Sequence, residues 1–158
     1  MTTAYDFQLM SIDGAPLPLA SFSGKPVLLV NTASQCGHTP QYAELQKLWD
    51  EFKARGLIVL GVPCDDFGGQ EPDTESGIAA FCERMFAITF PMTSKIHVRG
   101  AERHPLYTWL ATQSSLIARP RWNFHKYLIG RDGRMVDWFA SMTSPAASRF
   151  RAAIERVL

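Results

Sequence analysis

The sequence predicts an α/β protein with a thioredoxin-like fold, in which helices flank a mixed central sheet. Two continuous apolar runs, "KPVLLVN" and "LIVLGVP", are typical of strands that are buried on both faces. An amphipathic helix separates them, a second helix follows, and a hairpin and a last helix come later. This β-α-β-α order before an antiparallel pair predicts a sheet that is partly parallel and partly antiparallel.

The first half of the chain begins with a predicted N-terminal β-hairpin, "FQLMSIDGAPLPL", which turns at Asp13-Gly14. From Pro40 to Arg55 the apolar residues recur every three or four positions, as they do in an amphipathic helix. Gly56 is predicted to end that helix.

The second half is predicted to add two helices and a hairpin before a last helix. "TESGIAAFCERMF" has the pattern of a helix, with its first threonine as the N-cap, and "HPLYTWLAT" predicts a shorter one. The apolar runs on either side of "GRDGR" predict a hairpin. Ser144 and Pro145 are predicted to be the N-cap and first position of the last helix.

Length and composition exclude several classes of protein. A chain of 158 residues fits one domain, spanning residues 1–158. The net charge of +1 argues against nucleic-acid binding, which normally needs a strongly basic surface. No apolar run approaches the ~20 residues of a membrane helix, and no signal peptide is visible. Three cysteines do not suggest a disulfide framework, so we expect a reducing, cytoplasmic setting.

Cys36 lies in "NTASQCGHTPQY", between the first buried strand and the helix that follows it. Its neighbours are small or polar, so it belongs to no apolar periodicity. A thiol just before a helix N-terminus meets unpaired backbone N–H groups and the positive end of the helix dipole, and both favour the reactive thiolate. The residues therefore leave two interpretations open, a nucleophile or an inert, buried cysteine.

Other chemistries fit this turn less well. A dithiol oxidoreductase needs C-x-x-C, and the second position is Thr39. Cys36 and His38 have the closest ligand spacing, and a lone C-x-H is weak evidence for zinc. The chain has no glycine-rich phosphate loop and no G-x-S-x-G motif. We therefore expect neither a metal nor a cofactor.

Two further segments bring polar side chains towards the same edge of the sheet. Gln70 lies in the glycine-rich loop "CDDFGGQEPD", after the second buried strand, where open α/β sheets form their sites. Trp122 and Asn123, in "RWNFHKYLI", directly precede a strand. Their N–H groups could stabilise an anionic sulfur. A solvated glutamine and a packing tryptophan are the alternatives.

Taken together, these segments resemble the glutathione peroxidase family. "NTASQCGHTPQYAELQKLW" is similar to its first active-site signature, "VPCDDFGGQEP" to its glutamine loop and "RWNFHKYLI" to its Trp-Asn motif. The resemblance extends from about Tyr5 to Pro145, nearly the whole chain.

The resemblance implies a thiol peroxidase that reduces hydrogen peroxide and organic or lipid hydroperoxides. Carried over by position, the catalytic tetrad is Cys36, Gln70, Trp122 and Asn123. The cysteine would attack the peroxide and become a sulfenic acid, while the other three donate hydrogen bonds to the sulfur and the leaving oxygen. The sequence departs from the family at Asp65-Asp66, where Asn-Gln is common. Two carboxylates there would disfavour an acidic reductant such as glutathione.

Cys82, in "AAFCERMF", matches the position of the resolving cysteine in family members that use thioredoxin. A packing role is the alternative, and it is the favoured interpretation for Cys64, which ends a buried strand. We expect Cys36 and Cys82 to lie too far apart for a disulfide until the second helix unwinds. No tetramerising insert is visible, which favours a monomer with an open site.

Several interpretations stay open at the level of sequence. Thioredoxin or glutathione could be the reductant. A peroxide sensor that passes its disulfide to a client protein would use the same two cysteines. A thioredoxin-like scaffold without turnover is the third alternative.

Overall fold

The computed structural model describes residues 1–158. Its strands are β1 (Gln8–Met10), β2 (Pro16–Pro18), β3 (Val27–Thr32), β4 (Ile58–Pro63), β5 (Lys126–Ile129) and β6 (Met135–Phe139). Its helices are α1 (Gln41–Phe52), α2 (Glu75–Phe86), α3 (Pro105–Thr112) and α4 (Ser148–Val157). None of these helices has the length and apolar character needed to cross a bilayer.

The central sheet has four strands in the order β4-β3-β5-β6. β3 pairs in parallel with β4 and antiparallel with β5, and β5 pairs antiparallel with β6. Every residue of β3 and of β4 is buried, as their continuous apolar sequence predicts. The molecule therefore has the expected thioredoxin-like fold, and β1 and β2 add the N-terminal hairpin.

Alternate residues of the strands contribute to two separate cores, one on each face of the sheet. Leu28 and Val30 face a core that α1, α2 and α4 cover, which we name the α1/α2 core. Val27 and Leu29 face a second core, named the α3 core, which includes Leu106 of α3 and Leu9 of the hairpin. The period of two along a strand produces this division.

The ends of the helices follow the predicted signals, with one exception. α1 continues into a short turn that ends at Gly56, whose φ is +103°, and the Thr74 hydroxyl accepts a hydrogen bond from the Gly77 N–H at 3.3 Å. The prediction that Ser144 caps the last helix is wrong, because α4 begins at Ser148. The Ser144 hydroxyl accepts from the Ala146 N–H at 3.0 Å and caps a turn instead.

Candidate active site

Cys36 lies on the turn between β3 and α1, with only 8% of its surface exposed. Its sulfur accepts a hydrogen bond from the backbone N–H of His38 at 3.3 Å. Its own N–H donates to the Thr39 hydroxyl at 3.0 Å, and that hydroxyl donates to the Ala33 carbonyl at 2.8 Å. Thr39 stands where a C-x-x-C motif would have its second cysteine. Its hydroxyl thus links the two sides of the turn and fixes the backbone of Cys36.

The Gln70 loop lies against this turn. The Gln35 N–H, next to the cysteine, donates to the Gln70 carbonyl at 3.0 Å. Gly68 and Gly69 both have positive φ, at +68° and +60°, which lets the loop fold back towards the sheet edge. The structure therefore brings together the two loops that follow β3 and β4.

Asn123 joins the same cluster from the segment before β5. Its side chain is fully buried, and its Nδ2 donates to the Gln70 Oε1 at 3.0 Å. Trp122 is 37% exposed, and its ring packs 6.0 Å from that of Phe67 in the Gln70 loop. Phe124, with φ at +64°, turns the chain directly after this pair.

The hydrogen bond to the Cys36 sulfur in this structure comes from the His38 backbone, and the Asn123 amide donates to Gln70 instead. The four residues of the expected tetrad thus lie on three adjoining segments, and their convergence on the sulfur stays a prediction.

The other two cysteines lie in different cores. Cys82 belongs to the α1/α2 core together with Cys36, and it is 2% exposed. Cys64 belongs to the α3 core and is fully buried. Burial raises the pKa of Cys82 to about 11 and that of Cys64 to about 12. All three thiols are free, and Cys82 is the one that shares a face of the sheet with Cys36.

Asp65 and Asp66, which depart from the family pattern, both form hydrogen bonds with other residues of the protein. The Asp66 carboxylate contacts the His97 ring nitrogen at 2.6 Å and accepts from the Val98 N–H at 2.7 Å. Asp65 accepts from the backbone N–H of Glu71 at 2.9 Å. These carboxylates therefore stabilise the loop that carries Gln70.

Two buried ionisable residues near the site were not identified from the sequence. Glu71 is fully buried, and neither of its carboxylate oxygens has a hydrogen-bond partner. Lys126 is also fully buried, and its Nζ donates to the Gln41 side chain and the Thr143 carbonyl, both at 2.6 Å. A lysine within the otherwise apolar strand sequence "KYLI" is a signal that could have identified Lys126. Glu71 carries no comparable signal, since it lies in a polar loop.

Comparison with known proteins agrees with this architecture. Residues 4–111 match the model of the family described as glutathione peroxidase. The chain is 42% identical to glutathione peroxidase-like peroxiredoxin GPX5 of Chlamydomonas reinhardtii over 98% of this chain and 95% of that protein. It is 43% identical to hydroperoxy fatty acid reductase gpx1 of Synechocystis sp. over 99% of this chain and 96% of that one.

Among solved structures, the crystal structure of Trgpx in its apo form superposes with a TM-score of 0.80 at 35% identity. The match covers 99% of this chain and 96% of that one. Fold, motif order and near-complete coverage agree, and the chain belongs to the glutathione peroxidase family and is a peroxidase.

Proposed function

We propose that this protein is a one-domain thiol peroxidase in which Cys36 attacks the hydroperoxide and Cys82 resolves the product, with thioredoxin as the reductant. The observation that carries the proposal is the placement of Cys36 and Cys82 in the same core, with Cys64 in the other. The position of Gln70, Trp122 and Asn123 around the Cys36 turn supports their role as hydrogen-bond donors.

In the first step, the Cys36 thiolate attacks one oxygen of the peroxide. The O–O bond breaks, an S–O bond forms, and the alkoxide or hydroxide that leaves takes up a proton. The sulfur becomes a sulfenic acid. Neutral amide and indole donors suit this step, because they stabilise the departing negative charge without adding a competing one.

In the second step, the Cys82 sulfur attacks the sulfenic acid, which yields a disulfide and water. A disulfide needs Cα atoms within about 7 Å, and Cys82 lies within α2. We propose that α2 unwinds to deliver it. Polar residues on the outer face of α2 and Gly77 within it support local opening, and an exposed disulfide is then accessible to a dithiol such as thioredoxin.

The surface beside Trp122 favours hydroperoxides with a long apolar chain. Ile117 and Met142 are 58% and 84% exposed, and they line a groove of about 270 Å³ with Trp122. Arg119 and Arg121 line the same groove and could pair with a carboxylate or a phosphate. The relative named hydroperoxy fatty acid reductase is in line with this substrate class.

The test measures NADPH consumption with thioredoxin and thioredoxin reductase, and in parallel with glutathione and its reductase. We expect sustained turnover with thioredoxin, none in Cys36→Ser, and none in Cys82→Ser. Cys64→Ser is the matched control and should behave as the wild type. Normal turnover in Cys36→Ser would overturn the assignment of the nucleophile, and normal turnover in Cys82→Ser that of the resolving thiol.

The same assay separates the enzyme from the two other interpretations. A single turnover without sustained flux would favour a peroxide sensor, and preferential turnover with glutathione would favour a glutathione-recycled enzyme. We place the protein in the cytoplasm as a monomer. The three free thiols support the cytoplasmic location. Light scattering of the purified chain tests whether it is a monomer.

A further inference from the structure

The loop between β6 and α4, residues 140–147, is held by one buried lysine. The Nζ of this lysine, Lys126, donates to the Thr143 carbonyl at 2.6 Å and to the Ser141 carbonyl at 3.2 Å. The Ala140 carbonyl lies further from the same nitrogen, at 3.5 Å. One side chain thus binds three carbonyls of a single loop.

Gln41, the first residue of α1, completes this network. Its Oε1 accepts from the Lys126 Nζ at 2.6 Å, and its Nε2 donates to the Ser141 carbonyl at 2.8 Å. Three hydrogen bonds therefore form a closed triangle that joins β5, α1 and the loop after β6. Because α1 directly follows the turn that carries Cys36, the triangle also fixes the loop relative to that turn.

The burial of Lys126 is hard to explain by packing alone. The residue is fully buried, and none of its hydrogen-bond partners is a carboxylate. Burial lowers its pKa to about 7, and the Glu44 carboxylate opposes the decrease. Because burying an ammonium without a paired charge costs stability, an apolar side chain would suit this position better if it only filled space. The loop carbonyls that it binds account for the lysine.

The loop that Lys126 binds forms part of the groove beside Trp122. Met142 is 84% exposed and lines this groove. It lies between Ser141 and Thr143, whose carbonyls both accept from the lysine. The backbone is therefore fixed on each side of Met142, and its side chain is left free to contact a ligand in the groove.

Other groove residues come from the segment that leads into β5. Trp122 and His125 both line the groove, and Lys126 is the next residue of the chain. Leu128, two positions later, packs in the α1/α2 core, so the Lys126 side chain lies on the face of the sheet that α1 covers. Lys126 is thus joined to Trp122 through the chain and to the Met142 loop through hydrogen bonds, and it sets the spacing between them.

We propose that Lys126 is a positioning residue that determines the specificity for long-chain hydroperoxides, because it fixes the part of the groove that carries Met142. This role rests on the proposed substrate class. The apolar chain of such a substrate would lie against Met142 and Trp122, whereas hydrogen peroxide has no chain to contact them. Loss of the lysine should therefore change the choice of peroxide and leave the attack by Cys36 intact.

The test compares two second-order rate constants for oxidation of the reduced protein, one with linoleic acid hydroperoxide and one with hydrogen peroxide. Tryptophan fluorescence in a stopped-flow instrument follows both reactions. Lys126→Met keeps the apolar stem of the side chain and removes its N–H donors. We expect this variant to react with the long-chain peroxide about tenfold more slowly and with hydrogen peroxide at the wild-type rate. tert-Butyl hydroperoxide, which has no long chain, should behave as hydrogen peroxide does.

A second variant breaks the network but keeps the lysine. Gln41→Leu removes one partner of Lys126 and one donor to Ser141, and it should slow the long-chain peroxide selectively, by about threefold. It decides the question if circular dichroism shows that Lys126→Met is unfolded. Gln46→Leu is the matched control, because Gln46 also lies in α1 and accepts from the Thr89 N–H at 2.9 Å, away from the groove. The control should match the wild type with both peroxides.

Met142→Ala tests the groove itself and should also slow the long-chain peroxide selectively. If it does so while the folded Lys126→Met, or Gln41→Leu in its place, keeps the wild-type ratio of the two rate constants, the positioning role is overturned. Equal slowing with both peroxides in Lys126→Met would overturn it as well, since that result indicates general structural damage. Wild-type ratios in Met142→Ala and Lys126→Met together would remove both the proposed groove and this role, while the Cys36 and Cys82 variants test the peroxidase mechanism separately.

Discussion

Gly68 lies against the Trp122 indole in the loop that carries Gln70. A Cβ at this position would come within 2.9 Å of the Trp122 Cη2 atom. Gly69 has a similar φ, and a Cβ there would meet only the Asp65 carboxylate, at 4.0 Å. The two adjacent glycines therefore share the same backbone requirement but differ in their contact with the site.

Gly68→Ala is expected to displace the indole and to lower the rate of peroxide reduction by about tenfold. Gly69→Ala introduces the same positive-φ strain, of about 1 kcal/mol, without touching Trp122. Both variants should therefore lose similar stability in urea denaturation, while only Gly68→Ala loses peroxidase activity in stopped-flow measurements. Equal activities of the two variants would show that the indole position does not matter for the first step.

His125 is a buried, neutral histidine at the site's edge. It is 3% exposed and stacks on Trp138, with ring centroids 5.7 Å apart. Burial is the main cause that lowers the pKa of His125 from 6.5 to about 4. A hydrogen bond with the Ala118 backbone opposes this decrease in pKa, and the positive charges of Lys126 and Arg121 add to it. Between these pH values the unfolded chain binds a proton that the folded protein does not, so stability falls as the pH drops through this window.

His125→Phe keeps the aromatic stack and removes this titration. Relative to the variant, the wild type should lose up to about 3 kcal/mol of unfolding free energy between pH 6.5 and 4. The quantity to measure is the difference in unfolding free energy between the wild type and the variant. The total stability alone would mislead, because the raised pKa of Glu71 changes it with pH in the opposite direction. Through Glu71, stability falls as the pH rises from 4.5 to about 7. Parallel profiles of the wild type and His125→Phe in urea titrations would contradict the prediction.

At the scale of the elements, α2 is the segment on which the proposed resolving step depends. Its N-terminus is capped by Thr74, as the sequence predicts. Its C-terminus ends at Ala87, which has the left-handed φ of +49° that favours glycine. The N–H groups of Ala87 and Ile88 donate to the Glu83 and Cys82 carbonyls, at 3.0 and 3.3 Å. The helix that carries Cys82 thus ends in a residue with backbone strain.

Ala87→Gly should relieve this strain and stabilise the protein by about 1 kcal/mol. If α2 must open to deliver Cys82, the disulfide step should then slow by about fivefold. Ala80→Gly, in the exposed interior of α2, is the matched control, since it should destabilise the helix by about 1 kcal/mol and accelerate the same step. Urea denaturation and quenched-flow mass analysis measure both effects, and rate changes of the same sign in the two variants would refute the argument.

At the scale of the whole molecule, the sheet separates Cys36 and Cys82 from Cys64. Residues on one face of β3 and β4 lead to the core that holds Cys36 and Cys82, and residues on the other face lead to the core that holds Cys64. Cys64 belongs to the core on the opposite face of the sheet from the core that holds Cys36. The face of the sheet on which each thiol lies therefore indicates which thiols can pair, and position in the sequence does not.

The sequence by itself determined the order and type of the elements. Continuous apolar runs predicted β3 and β4, helical spacing predicted α1, and Asp13-Gly14 predicted the first hairpin, because these signals are local properties of the chain. The motifs around Cys36 and Gln70 predicted two neighbouring loops, since the carboxyl ends of parallel strands share one sheet edge. Asn123 precedes β5, whose antiparallel pairing with β3 brings its first residue to that same edge.

Only the tertiary structure decided which groups are buried and what surrounds them. Ser144 has the sequence of a helix cap, yet its hydroxyl also donates to the Glu44 carboxylate at 2.6 Å, and the helix starts later. Glu71 has the sequence context of a loop residue, yet it is fully buried. Local periodicity shows which face of an element is apolar, but it does not show which distant segment covers that face. Burial and the pKa shifts it causes depend on contacts between residues far apart in the chain, and those contacts exist only once the chain has folded.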